Sequence, residues 1–109
     1  MKAAELDAVL AAVADPTRRA IVDRLTRGPA RVTDVAEPLP MTLAAASKHI
    51  RVLEKAGLVR RKRHGREHVL ELDAAPLGEI VKWASRYERF WTERLDRLED
   101  YFKKKRTES

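Results

Sequence analysis

A chain of 109 residues, 44% hydrophobic and 37% charged, is long enough for one small domain, 1–109, and carries a net charge of +6. The absence of cysteine excludes a disulfide framework, a thiolate metal centre and a redox switch on sulfur. Glu5 and Asp7 interrupt the apolar stretch 3–14, which argues against a signal peptide. No apolar run reaches the ~18 residues that would span a bilayer, so no membrane partner and a cytoplasmic location are expected.

Leu6, Val9, Leu10 and Val13 repeat at i, i+3, i+4 and i+7, which predicts a short amphipathic helix over 4–13. Asp15-Pro16 then reads as an N-cap followed by a first-turn proline. The helix they start runs to about Arg27, with Ile21, Val22 and Leu25 inward, and Gly28-Pro29 stops it. A short helix with Val32, Val35 and Ala36 apolar is closed by Pro38-Leu39-Pro40. Thr42 can cap the next helix, whose inward stripe is Leu43, Ala46, Ile50 and Leu53 and whose end is marked by Gly57. Leu58–Lys62 and Glu67–Leu72 read as short strands around the turn His64-Gly65-Arg66. From about Pro76 to Lys105 the pattern predicts one long helix. The expected fold is therefore mainly α with a small β-hairpin (α+β), a winged helix-turn-helix.

Charge is concentrated in one stretch of this pattern. Residues 42–66 hold eight Lys or Arg against one acid, Glu54, a balance of +7 that leaves −1 for the other 84 residues. A helix with a small, polar and basic outer face that runs into a basic hairpin suits a major groove with a wing beside it. Thr42, Ala44, Ala45, Ser47, Lys48, His49 and Arg51 are the expected contacts from the helix, because small residues admit the backbone and the longer ones reach bases or phosphates. Lys62, Arg63, His64 and Arg66 are the expected contacts from the wing. Arg60 and Arg61 alternate along a strand, so only one of them is expected to face a duplex.

Catalysis and metal binding find no support. Ser47 and His49 point about 200° apart on a helix, so no proton relay forms between them. The three histidines, His49, His64 and His68, fall on a helix, a turn and a strand rather than in one ligand set. No enzyme activity, metal or other cofactor is expected.

The stretches Ala14-Asp15-Pro16-Thr17-Arg18-Arg19-Ala20-Ile21 and Ser47–Val59 (SKHIRVLEKAGLV) resemble the second helix and the reading helix of the ArsR/SmtB family of bacterial winged-helix repressors. The likeness extends over about residues 5–100 and includes the basic strand with its Gly-Arg tip. It implies a DNA-binding core at about 15–72, with dimerisation helices at about 4–13 and 76–105. The chain departs from the metal-sensing members. Its short helix lacks their Cys-x-Cys pair, and its C-terminal helix carries no His, so it is similar to a cysteine-free, non-metal-sensing branch.

Leu77, Ile80, Ala84, Tyr87, Trp91, Leu95, Leu98 and Phe102 form one stripe on a helix of about 28 residues, ~42 Å long, more than so small a domain can cover. Together with the apolar first helix this predicts a two-fold homodimer through Leu6, Val9, Leu10, Ile80, Ala84, Tyr87, Trp91, Leu95 and Leu98. An alternative use of the stripe is a pocket lined by Trp83, Tyr87 and Trp91 for a small-molecule effector. The expected function is a homodimeric, sequence-specific regulator of transcription that binds double-stranded DNA at an inverted repeat, with the repressor role implied by the resemblance. The alternative is a winged-helix protein-interaction module whose basic patch binds nucleic acid without specificity.

Overall fold

Local signals set the starts of α2 and α4 and the end of α4 in the structure, a computed structural model that describes residues 2–108. Met1 and Ser109 of the expected domain lie outside the described residues. The order is α1 (Ala3–Val13), α2 (Pro16–Leu25), β1 (Ala30–Arg31), α3 (Val32–Ala36), α4 (Leu43–Lys55), β2 (Val59–His64), β3 (Glu67–Leu72), α5 (Ala75–Ser85) and α6 (Glu88–Glu108). The Asp15 carboxylate accepts the Arg18 N–H at 3.0 Å to start α2, and the Thr42 hydroxyl accepts the Ala45 N–H at 3.1 Å to start α4. At the end of α4, Gly57 sits at φ +80 while the Leu58 N–H bonds the Leu53 carbonyl and the Gly57 N–H bonds the Glu54 carbonyl, both at 3.0 Å. This is a Schellman motif, and its hydrophobic partners Leu53 and Leu58 are both fully buried.

The core lies where α1, α2, α3 and α4 meet the sheet. Val9, Ala12, Ile21, Leu25, Val35, Ile50, Leu53, Leu58, Val59 and Leu70 form one buried cluster, with Leu77 and Ile80 of α5 packed against it. Each large aliphatic side chain buried there contributes about 1.5–3 kcal/mol. The sheet is antiparallel in the order β1-β3-β2, with Ala30 and Arg61 flanking Leu70 and with His64 opposite Glu67. Gly65 and Arg66 make the two-residue turn between β2 and β3. Gly65 at φ +63 supplies the positive angle that the first position of a type II′ hairpin needs.

Several expectations need correction. The strand β1 was not anticipated, because two residues between Pro29 and a helix carry no periodic signal. Leu43 was expected inward but is 53% exposed, since as the first residue of α4 it precedes the turn that packs on the core. Val9 was assigned to the dimer surface but is 1% exposed and belongs to the protomer's own core. The predicted helix 76–105 is two helices, broken at Arg86-Tyr87. There the Arg86 and Tyr87 N–H groups bond the carbonyls three residues back, at 3.3 and 3.0 Å, and the Ser85 hydroxyl bonds the Val81 carbonyl at 2.7 Å. Both features tighten and bend a helix end.

The break changes the shape of the molecule. α5 packs on α1, whereas α6 leaves the body and is exposed along its length. The radius of gyration is 18.6 Å, against about 13 Å for a compact chain of this size.

Candidate nucleic-acid interface

Burial fixes the rotation of α4. Ala46, Ile50 and Leu53 point into the core and are fully buried. Residues 44, 48, 51 and 55 fall within about 60° of one another on the opposite side at ~100° per residue. Ala44, Lys48, Arg51 and Lys55 are accordingly exposed, and the three cations have no ion-pair partner among the described residues. Lys55 was not among the expected contact residues, although its spacing of seven from Lys48 placed it on the same face. Thr42 is exposed at the helix entrance, while Ala45 and Ser47 flank the basic stripe and are half-buried. Glu54, the single acid of residues 42–66, is bound by Arg61 at 2.7 Å, so it does not neutralise the stripe.

One network fastens this helix to the rest of the protomer. The Arg18 guanidinium donates to the Ala12 and Ala11 carbonyls at the end of α1, at 2.7 and 3.1 Å. It also lies 3.3 Å from Nδ1 of His49 on α4, and the same nitrogen is 4.0 Å from Asp15. The Arg18 backbone N–H and the neighbouring guanidinium, together with His49, hold the Asp15 carboxyl below its ordinary value of 3.8, and partial burial opposes them. His49, expected as a DNA contact, is therefore half-buried with Nδ1 facing the Arg18 guanidinium. In the sequence Arg18 stands out only through the family likeness; its long reach from α2 to α1 and α4 has no signal in spacing.

In the wing, most cations are already engaged. Lys62 pairs with Glu71 at 3.0 Å and thereby lowers the Glu71 carboxyl. The Arg63 Nε–H donates to the Gly65 carbonyl at 2.9 Å and braces the turn. Arg60 lies 3.9 Å from Asp73, and Arg61 holds Glu54. Both strand arginines thus meet acids within the protomer. His64 and Arg66 at the tip are exposed and have no such partner among the described residues. At the wing's base Arg31 bridges Asp34 and Glu67, at 3.0 and 3.1 Å, which raises its already high pKa. Arg31 also lines a cleft of about 260 Å³ with Arg66 and His68.

The second surface lies on α1, α5 and α6. Leu6, Leu10, Ile80 and Ala84 are half-buried, whereas Tyr87, Trp91, Leu95 and Leu98 are exposed. A groove of about 780 Å³ between α1 and α5 is lined by Leu6, Asp7, Glu79, Lys82, Trp83 and Arg86. Of the three aromatic residues expected to line a pocket, Trp83 alone borders this groove. Tyr87 stacks edge-on against Trp83 with centroids 5.9 Å apart, and Trp91 lies beyond the helix break. Among the described residues no group of three or more His, Asp or Glu is placed to hold a metal ion, and no helix is long and apolar enough to cross a membrane.

Comparison with known proteins agrees with this geometry. A helix-turn-helix domain family matches residues 13–62. The chain is 42% identical over 84 residues to the HTH-type transcriptional regulator Rv2034 of Mycobacterium tuberculosis, covering 77% of this chain and 76% of that protein. The crystal structure of the ArsR family transcriptional regulator RHA00566 is 35% identical and superposes with a TM-score of 0.78, over 84% of this chain and 95% of that one. The homodimeric winged helix-turn-helix DNA-binding domain of Mb0332 from Mycobacterium bovis is 28% identical, with a TM-score of 0.63 over 77% of this chain and 81% of that one.

Proposed function

The chain belongs to the ArsR family of winged helix-turn-helix transcriptional regulators, and on that premise we propose that it acts as a homodimeric, sequence-specific repressor at an inverted-repeat operator. The observation that carries this reading is the stripe Lys48, Arg51 and Lys55. Its cations are unpaired among the described residues, on a helix whose other face is locked into the core. Ala44 lets the start of α4 enter a major groove closely, while Lys48 and Arg51 reach base edges or phosphates. Ser47, Ala45 and Thr42 border the same entrance. At the wing, His64 and Arg66 meet the flanking backbone or the minor groove, and Lys62 and Arg63 exchange their internal partners for phosphates.

Two copies are needed for an operator of useful specificity, because one helix reads only a few base pairs. The apolar residues left on α1, α5 and α6, without Val9, supply the contact surface. The homodimeric neighbour described above supports the same assembly. Two reading helices set about 34 Å apart would fit successive major grooves, which requires half-sites one helical turn apart. Such a dimer closes the covered duplex to polymerase, the simplest way for a DNA-binding domain to repress. Genome-wide capture of bound DNA tests the proposal. It should return one inverted-repeat motif with that spacing, upstream of a small set of genes; fragments without a shared motif would overturn it.

A further inference from the structure

His49 follows Lys48 by about 100° around α4, so it lies on the flank of Thr42 and Ala45 and not on the basic stripe. A helix about 10–12 Å across fills a major groove about 12 Å wide, so the flanks of a reading helix face the sugar-phosphate walls. The ring is half-buried, and its two nitrogens stand in different surroundings. Nδ1 lies 3.3 Å from the Arg18 guanidinium and 4.0 Å from the Asp15 carboxylate. The second distance is too long for a hydrogen bond, which leaves Arg18 as its partner. A guanidinium only donates, so Nδ1 accepts and the proton of the neutral ring sits on Nε2. Nε2 has no partner among the described residues. No buried side-chain nitrogen lacks a partner there, so the Nε2–H reaches solvent. Arg18 is itself anchored, because its guanidinium also donates to the Ala12 and Ala11 carbonyls of α1 at 2.7 and 3.1 Å.

We infer that Arg18 is a positioning residue for DNA binding: it holds His49 in the Nε2–H form and so presents that donor to a backbone phosphate on the groove wall. This role rests on α4 being the reading helix, as proposed above, and adds a contact outside its basic stripe. A neutral donor brings a hydrogen bond and no charge, so its loss should weaken binding and leave the salt dependence unchanged. A phosphate contact carries no sequence information, so the loss should be equal on every duplex.

The test is a fluorescence-anisotropy titration of full-length protein over a salt series at about pH 8, above the ordinary histidine value of ~6.5. Two probes are used, a random duplex and a duplex carrying the captured inverted repeat. His49→Asn keeps an acceptor in the place of Nδ1 and removes the outer donor, while Arg18→Gln removes the guanidinium. Each variant should bind both probes about 2–10-fold more weakly, the range of one hydrogen bond, with the salt slope of the unsubstituted chain. The double variant should lose no more than the weaker-binding single one, because the two residues act as a unit. Unchanged affinity for either variant, or additive losses, would overturn the inference. So would a salt slope shallower by about 0.9 for Arg18→Gln, which would make Arg18 a phosphate contact itself. Proton–nitrogen correlation spectra of the imidazoles check the unsubstituted chain without any variant. They should show His49 protonated on Nε2 alone, and a proton on Nδ1 at that pH would defeat the assignment. If the inverted repeat binds no tighter than random duplex, the repressor proposal fails, and the losses on random duplex still decide the role of Arg18 and His49.

Discussion

At the scale of single residues, two sets of side chains divide the work between contact and position. Lys48 and Arg51 project from α4 without partners among the described residues, so replacing either by Ala removes a proposed DNA contact and should leave the fold intact. Each substitution should weaken operator binding by about 1–3 kcal/mol, with unchanged helicity in circular dichroism. Wild-type affinity for both variants in a gel-shift titration would mean that another face of α4 meets the DNA. Asp15 belongs to the second set. Its folded pKa lies below 3.8 because the Arg18 N–H and the neighbouring positive groups favour the carboxylate. A depressed acid stabilises the fold fully above its unfolded pKa, and that stabilisation is lost as pH falls through the folded value. Asp15→Asn should therefore melt below the parent at pH 7, and the gap should close as the pH falls below 3.8 and through the folded pKa. A gap independent of pH would show that the carboxylate charge contributes nothing.

At the scale of elements, what the sequence announces is local. Asp15-Pro16, Thr42 and Gly57 mark helix ends through hydrogen bonds within a few residues, and the structure realises each of them. The helix-turn-helix and the hairpin were legible for that reason. The misreadings concern contacts made across the fold. Val9 fits a surface stripe by spacing but is buried in the protomer's core cluster; the break at Arg86-Tyr87 lies within an unbroken apolar period. In the site, exposure on α4 followed from periodicity, whereas the pairing of Lys62 with Glu71 depends on strand register, which composition does not encode. Gly57 tests the helix-end argument. At φ +80 an Ala would be strained, while its added methyl would meet only Pro76 Cγ at 3.9 Å, an ordinary contact. Gly57→Ala should thus cost about 1–2 kcal/mol from the backbone alone, read by urea denaturation. Leu53→Ala, which opens a cavity under the same motif, should cost about 2–5 kcal/mol. An unchanged midpoint for Gly57→Ala would discard the Schellman account of how α4 hands the chain to the wing.

At the scale of the whole molecule, a basic surface on α4 and an apolar helical surface on α1, α5 and α6 are what the proposed paired regulator would need. The sequence has no cysteine, and no group of three or more His, Asp or Glu is placed to hold a metal among the described residues, so metal is not expected to act as inducer. Zinc, cadmium or arsenite should leave operator affinity unchanged in a fluorescence-anisotropy titration, and a chelator-reversible loss would reveal an oxygen-rich site. The central claim is sequence-specific recognition by two copies, as opposed to attraction of a basic patch to any duplex. Competition decides between these directly: labelled duplex carrying the captured inverted repeat is titrated with full-length protein in a large excess of random duplex. The account predicts that binding survives the competitor, saturates at two protomers per duplex and weakens steeply with added salt. If the random duplex abolishes the signal in proportion to its concentration, the chain is an electrostatic binder without an operator, and the claim is wrong.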